Sequence, residues 1–408
     1  MKIAIISSGF LPVIDGVTVT QINRLRQLSQ YGHQVLLFCP DYSQLANIYP
    51  NWQGYTGNIL PGVRVINLDG ESFLGLDFER NVSRKSYQVV LQELQSFQPD
   101  IIHVDEPERL FAGFFKPPGI GYAKKANIPC VSFFHTNLLE YGKDYFATPT
   151  AIDAIIKYIL KFPLRWIYNA YDLTLVSSQV TCQKLTKIGI NNLLNEELLG
   201  INLENFSPAL RQAEFFKNKY QIPNIEQKIK VIFLGRLTPD KGWSFTIDAL
   251  TKLVQIEDIA LIIAGDGSMR DRISQELTKL TPHTYLLGRV PPDDIPALLI
   301  NSDIHVTTSE KETKGLTILE AFAAGIPVLA PRAGGLLDTI NDGENGLLFK
   351  PQDKLDFISK LKTLIDNPSL RQKMGIKARE SVANCSWEQA TKNLLKIWQQ
   401  QVQNKAIS

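Results

Sequence analysis

Short, almost uninterrupted apolar runs recur along the chain at 2–7, 33–39, 63–68, 100–104, 129–134 and 173–177, and again at 230–235, 259–264, 283–287, 304–308 and 327–330. Runs of this length that do not alternate with polar residues predict parallel strands covered by helices on both faces. The longer stretches between them predict those helices, so the repeating unit is βαβ and the fold class is α/β, two doubly wound Rossmann-like domains. LLGINLENFSPALRQ and the polar QIPNIEQKIK separate the two arrays, which places one domain over 1–203 and the next over 204–386. After Asn384, SWEQATKNLLKIWQQQVQ predicts a terminal helix within 387–408 whose Trp387, Leu394, Leu395 and Trp398 are free to pack back on the first domain.

Totals narrow the function more by exclusion than by assignment. A chain of 408 residues with 44% hydrophobic and 21% charged residues has material for two cores and no signature of disorder. Its formal charge of +2 argues against a bulk nucleic-acid binder. The four cysteines, Cys39, Cys130, Cys182 and Cys385, lie far apart with no CxxC or Cys/His cluster, so neither a disulfide framework nor a zinc site is expected. The opening MKIAIISSGF lacks a cleavage pattern, and no apolar span reaches about 18 residues. A cytoplasmic location is expected, with any membrane contact peripheral and on the cytosolic face.

Doubly wound sheets bind ligands beyond the carboxyl ends of their strands, and in the second half those positions carry a constellation. After VIFLG, Arg236-Leu-Thr-Pro-Asp-Lys241-Gly242 can aim two cations at one anion, and a diphosphate suits it. IALIIAGDGSM puts Gly265, Asp266 and Gly267 at a tight strand-to-helix turn. HTYLLGRVPPDD ends a strand at Gly288 with Arg289 and Val290 at the rim, where backbone can meet a base. In DIHVTTSEKETKGLTILEAFAAGIPVLAPRAGG, Gly315 opens a helix, Glu312 precedes it and Glu320 lies inside it. Free amides near Gly315 and Leu316 favour an anion, while the two carboxylates can accept hydrogen bonds from hydroxyls on either side. A sugar, a diphosphate and a ribose in succession match that layout.

Glu312 and Glu320 at E-x7-E, with GRLTPDKG upstream and AGGLLDTINDGENGLLF downstream, resemble the retaining glycosyltransferase family 4 of the GT-B fold. The resemblance extends to SSGFLPVIDGVTVT at the N-terminus, FFHTN ending at residue 137, GDG at 265–267 and the hinge-like LGINLENFSP, and so spans nearly the whole chain. It implies two domains facing each other across a cleft. It also implies that Arg236 and Lys241 neutralise a donor diphosphate, that Glu320 binds the ribose and that Glu312 contacts the transferred sugar. Val290 would offer backbone to the base, the loop at Gly16 would approach the phosphates, and His135 would lie near the transferred sugar. Two positions depart from the family pattern: Asn202 stands where Asp is common in the hinge, and the loop reads ETKG rather than E-G-F-G. No D-x-D pair is present to chelate a metal, so no cofactor is expected and the two cations take that role. The resemblance implies retention of configuration, with same-face attack assisted by the leaving phosphate.

The first half is expected to bind the acceptor. AIDAIIKYILKFPLRWIYNA sets Lys157, Lys161 and Arg165 four apart, with Ile155, Ile156, Tyr158, Ile159, Leu160 and Trp166 in the apolar remainder and Pro163 breaking the pattern. Such a stretch fits either an anionic membrane surface or a core-packed helix with a solvated basic stripe. Lys116, Lys124, Lys125 and Lys143 add positive charge nearby, and HVDEPERLFAGFF offers Asp105 and Glu106 to acceptor hydroxyls. ETKG, the basic helix and FFHTNLLEYGKDYF resemble glycolipid synthases such as those of digalactosyldiacylglycerol or sulfoquinovosyldiacylglycerol. Galactosyl transfer from UDP-galactose to a galactolipid is therefore the reading, against a polysaccharide or soluble-sugar acceptor, sulfoquinovosyl transfer to diacylglycerol, a nucleotide-sugar epimerase or a silent nucleotide-sugar binder.

Overall fold

The structure, a computed structural model, describes residues 1–73, 76–135, 150–253 and 258–407, without the side chains at 73, 76–79, 150–154 and 157. Lys143, the rest of 136–149 and the Lys157 side chain thus lie outside the described residues. The chain divides into two compact units, one of Met1–Thr136, Thr150–Gly200 and Trp387–Ser408, the other including Ile201–Ser386.

The first unit is built on an eight-stranded sheet. Its strands are β1 (Lys2–Ser7), β2 (Gln34–Pro40), β3 (Gly57–Leu60), β4 (Val63–Leu68), β7 (Ile101–Asp105), β8 (Cys130–Phe133), β9 (Leu173–Val176) and β10 (Leu193–Asn195), in the order β10-β9-β8-β7-β1-β2-β4-β3. All pairs are parallel except β3 with β4. β1 is central, pairing Ile3 with both Val35 and Ile101, and its residues after Lys2 are all buried, as helices on both faces require. One face packs Ile3, Ile5, Leu37 and Val131 under the helix Gly16–Gln30 and the terminal helix Trp387–Ile407; the other packs Ala4, Ile6, Phe38 and Val104. Asp15 starts the helix Gly16–Gln30 through a reciprocal capping box with Thr18. A small antiparallel pair, β5 (Gly70–Phe73) with β6 (Leu76–Val82), completes the unit's strands.

The second unit carries a six-stranded, fully parallel sheet. Its order is β13-β12-β11-β14-β15-β16, from β11 (Ile229–Leu234), β12 (Ile259–Ala264), β13 (Thr284–Gly288), β14 (Ile304–Val306), β15 (Val328–Pro331) and β16 (Gly346–Phe349). The order reverses beside β11, so the loops after β11 and β14 flank the switch point. Arg379, on the helix Pro368–Ser381, donates to the carbonyls of Phe206 at 2.9 Å, Leu203 at 3.2 Å and Ala323.

The break expected at Pro163 does not occur, because one helix spans Thr150–Tyr168. A proline removes one helical hydrogen bond, and here the turn after it is pinned by burial of Leu164, Ile167 and Tyr168. The turns before it leave Ile155, Tyr158, Ile159 and Phe162 exposed, as are Lys161, Arg165 and Trp166.

Trp398 is fully buried beneath the first sheet and meets His103 edge-on at 5.3 Å. Trp398→Ala is expected to destabilise the first unit by about 3–5 kcal/mol, as large-to-small core changes do. Urea unfolding measures it, and a loss below about 1 kcal/mol would show that the terminal helix is not part of that core.

Candidate functional site

In the second unit, the loops after β11 to β15 are bonded to one another at the carboxyl edge of the sheet. The loop Gly235–Gly242 leaves β11 and lies against the turn after β12: Gly235 N–H donates to the Ala264 carbonyl at 3.0 Å and Leu237 N–H to that of Asp266 at 2.9 Å. A Cβ on Gly265 would sit 1.8 Å from the Gly235 carbonyl oxygen, and one on Gly267 2.5 Å from that of Leu237, so this approach needs both glycines. Gly265 N–H in turn donates to Gly288 at the end of β13 at 2.8 Å, and Arg289 pairs with Asp266 at 3.4 Å. The neighbouring Val290 is buried.

On the other side, the Thr308 hydroxyl donates to the Lys241 carbonyl at 3.0 Å and shares a 2.7 Å hydrogen bond with Thr246. Gly242 has φ +77°, and a Cβ there would stand 2.4 Å from the Thr308 carbonyl oxygen. Lys241 Nζ donates to Glu312 Oε1 at 2.6 Å, with each side chain 22% exposed. Arg236 faces Asp240 at 3.5 Å. The turn after β15 closes the arc: Gly335 N–H donates to the Glu312 carbonyl at 2.8 Å, and Gly334, at φ +57°, lies too close to that carbonyl for a side chain.

Glu312 and Glu320 are both carboxylates near one helix start, yet their environments push them apart. Burial alone would raise Glu312, but the Lys241 ammonium and the hydrogen bond it donates hold it below the ordinary glutamate value. Glu320 lies in the helix Leu316–Ala323, and its carboxyl has no hydrogen-bond or ion-pair partner among the described residues. Burial without compensation raises it to about 8. Gly315 stands at the cap of this helix with φ +78°, and no side chain caps the first-turn amides of Leu316 and its successors.

The sequence-predicted residues of the first unit fall in two settings. Gly16 begins the helix Gly16–Gln30 with open space where a Cβ would go. His135 follows β8, packs its ring tilted by 37° on Phe133 with the centroids 3.9 Å apart, and places Nε2 2.6 Å from Asp105 Oδ1. Asp105 is fully buried, and Glu106, 4% exposed, accepts from the Ser8 hydroxyl. The expectation that these carboxylates meet acceptor hydroxyls does not fit Asp105, which is fully buried with both oxygens facing the protein's own donors, whereas Glu106 accepts from Ser8 through Oε2 and lines a small cavity with Asp15, Arg80 and Arg109. Around Asp105 stand residues that the sequence reading passed over: Gln21 Nε2 at 3.0 Å, Arg24 Nη1 at 3.4 Å and His103 Nε2 at 3.1 Å. The available signal was that Gln21 and Arg24 occupy the core-facing stripe of their helix with Leu25 and Leu28. Among the described residues, no cluster of three or more His, Cys, Asp or Glu side chains is placed to hold a metal ion.

Comparison with known proteins adds a lineage to this geometry. Residues 14–193 match the family model described as Glycosyltransferase Family 4, and 214–381 the one described as Glycosyl transferases group 1. A GDP-mannose-dependent alpha-mannosyltransferase of Corynebacterium glutamicum is 29% identical over 97% of this chain and 88% of its own length. The sulfoquinovosyl transferase SQD2 of Arabidopsis thaliana is 31% identical over 74% of this chain, which spans 57% of that longer protein. The crystal structure of Anabaena Alr3699/HepE in complex with UDP matches with a TM-score of 0.71 at 18% identity, covering 98% of this chain and 100% of that one.

Because the Glu320 carboxyl is raised in the folded state, the protonated form favours folding. That contribution is complete below the unfolded value near 4.5 and is lost as pH rises through about 8. Glu320→Gln is expected to stabilise the second unit more at pH 9 than at pH 5, measured by urea unfolding at the two pH values. An equal effect at both would place the Glu320 titration elsewhere.

Proposed function

We infer that the reaction is transfer of a hexosyl group from a nucleotide-diphosphate sugar to an acceptor hydroxyl, since the chain belongs to glycosyltransferase family 4 of the GT-B fold, with a group 1 domain in its second half. The observation that carries this reading is the arc of mutually bonded loops that holds Lys241 against Glu312 and leaves Glu320 without a partner among the described residues. Breaking the anomeric C–O bond develops negative charge on the leaving diphosphate and positive charge on the sugar. Cations and amides fixed before the reaction stabilise such charge without reorganising. Lys241 and Arg236 serve the diphosphate, together with the uncapped amides at Gly315 and Leu316. Glu312 meets the transferred sugar, Glu320 the ribose and the backbone at Val290 the base, and Gly265 lets the loop after β11 close on the turn after β12 at the donor site. In the first unit, we assign Gly16 to the phosphates and His135 to the transferred sugar. Configuration is retained, with the leaving phosphate assisting same-face attack, and the cations stand in for a metal.

The acceptor we favour is a membrane glycolipid, with UDP-galactose as donor. Its support is the exposed surface of the helix Thr150–Tyr168, where Ile155, Tyr158, Ile159 and Trp166 are each more than half exposed beside Lys161 and Arg165. Apolar and basic side chains together on one helix suit an anionic lipid surface, and Phe115, 69% exposed, lies close by through the Phe111–Trp166 contact. Among the described residues no helix is long and apolar enough to cross a membrane, so the contact we propose is peripheral. A second reading, GDP-mannose as donor, is favoured by the likeness to the mannosyltransferase over 97% of this chain. Transfer of a sulfoquinovosyl group is favoured by the likeness to SQD2.

Incubation with a panel of nucleotide sugars and a membrane lipid extract, followed by mass analysis, reports donor and acceptor together. A hexosyl-lipid is expected. Transfer only to soluble or polymeric sugars, or release of epimerised free sugar, would overturn the lipid reading, and failure to cosediment with anionic vesicles would overturn the membrane contact.

Glu320→Ala is expected to weaken nucleotide binding about tenfold, the loss of one charge-assisted hydrogen-bonded contact, whereas Glu312→Ala mainly lowers turnover. Equal nucleotide affinity in both variants would show that these roles are wrong. Two ribose hydroxyls donating to Glu320 favour its ionised form, so nucleotide binding at pH 7 is expected to release a proton. Calorimetry in buffers of different ionisation enthalpy measures the release, and its absence would remove Glu320 from the ribose.

A further inference from the structure

The buried polar cluster beneath His135 has no part in the chemistry so far. Asp105 Oδ1 lies 2.6 Å from His135 Nε2 and 3.1 Å from His103 Nε2, while Asp105 Oδ2 accepts from Gln21 Nε2 at 3.0 Å and faces Arg24 Nη1 at 3.4 Å. We propose that Asp105 is a positioning residue that holds His135 in the tautomer protonated at Nε2, with Arg24, His103 and Gln21 holding Asp105 in turn. The inference rests on the reading of His135 as a residue that meets the transferred sugar.

An ionised carboxylate only accepts hydrogen bonds, so the nitrogen facing it must carry the proton. Asp105 is ionised here: burial alone would raise it, but His103, Arg24 and His135 hold it well below the usual carboxylate value. A neutral imidazole carries one proton, and with it on Nε2 the lone pair lies on Nδ1. His135 therefore meets a sugar hydroxyl as an acceptor at Nδ1. The contact with Phe133, 3.9 Å between centroids, restrains the ring, and Arg24 lies over the Phe133 ring at 5.7 Å.

A wholly buried carboxylate is costly to keep and is often replaceable by apolar packing without loss of stability. This one is held from three directions: Gln21 and Arg24 on the helix Gly16–Gln30, His103 on β7, and His135 after β8. Gln21 Nε2 also reaches the Ser7 hydroxyl at the end of β1. Trp398 of the terminal helix closes the cluster by meeting the His103 ring edge-on at 5.3 Å. A cluster that only filled the core would have no reason to aim one carboxylate oxygen at the ring that leaves the sheet's carboxyl edge.

The test is 15N NMR of the full chain labelled in the histidine rings, which distinguishes the two neutral tautomers directly. His135 is identified among the five histidines by the signals lost in His135→Gln. The wild-type ring is expected in the Nε2-protonated form, and an Nδ1-protonated ring would overturn the proposal without any variant having to fold. Asp105→Asn presents an amide that can donate to Nε2 and so favours the other tautomer. With the best donor and acceptor of the panel, it is expected to lower kcat about tenfold or more, as the corresponding change does in a carboxylate–histidine pair that works by tautomer control, with the donor KM changed less than twofold. Unchanged kcat, or a fall in kcat with His135 still protonated at Nε2, would overturn it. Wild-type turnover in His135→Ala would instead sink the assignment of His135 to the sugar, and the role of Asp105 with it.

Discussion

The ion pair between Lys241 and Glu312, 2.6 Å long and about four-fifths buried on each side, joins the loops after β11 and β14. Two opposite charges withdrawn from water are stable only where geometry and further hydrogen bonds compensate their lost hydration. Here the pair closes at 2.6 Å and both backbones are fixed, by the Thr308 hydroxyl on the Lys241 carbonyl and by Gly335 N–H on the Glu312 carbonyl. The approach that brings the charges together is in turn possible only because Gly242 and Gly334 lack side chains where backbone carbonyls press on them. The pair and the loops thus depend on each other, and the cation is in place before any anion arrives.

Glu320 presents the opposite case within the same short stretch of chain. It is raised to about 8 by burial, with no partner among the described residues to offset it, whereas Asp105 in the first unit is driven far down by three cationic or protonatable neighbours. Glu320 is half-buried in its helix, so its charged form is poorly hydrated in the free protein. Hydroxyl donors of a bound ribose would relieve it, which converts a defect of the empty fold into binding free energy.

Much of this was legible in the chain. Continuous apolar runs such as KIAIIS and IALIIA are buried on both faces and are the central strands, because parallel sheets demand that composition. E-x7-E and GRLTPDKG pointed to loops that the second unit's fold brings together, because helix starts and glycine turns are local properties of sequence. What escaped were short edge strands such as β3 and β16, whose four residues carry too little periodicity to distinguish them from a loop. The setting of Asp105 also escaped: that it faces Gln21, Arg24, His103 and His135 follows from β7 pairing with β1 and β8, a long-range fact that no local pattern encodes. The run through Pro163 is similar, since burial of Leu164, Ile167 and Tyr168 overrides a local helix breaker.

The central claim is that Lys241, held by Glu312, receives the diphosphate of a nucleotide sugar. Calorimetric titration of wild type and Lys241→Ala with UDP, GDP and their parent nucleosides tests it most directly. The account predicts that the variant loses about tenfold or more in affinity for whichever diphosphate the wild type binds, on the scale of one charge-assisted contact, while nucleoside binding stays unchanged. Equal losses for diphosphate and nucleoside, or no loss for either, would contradict it.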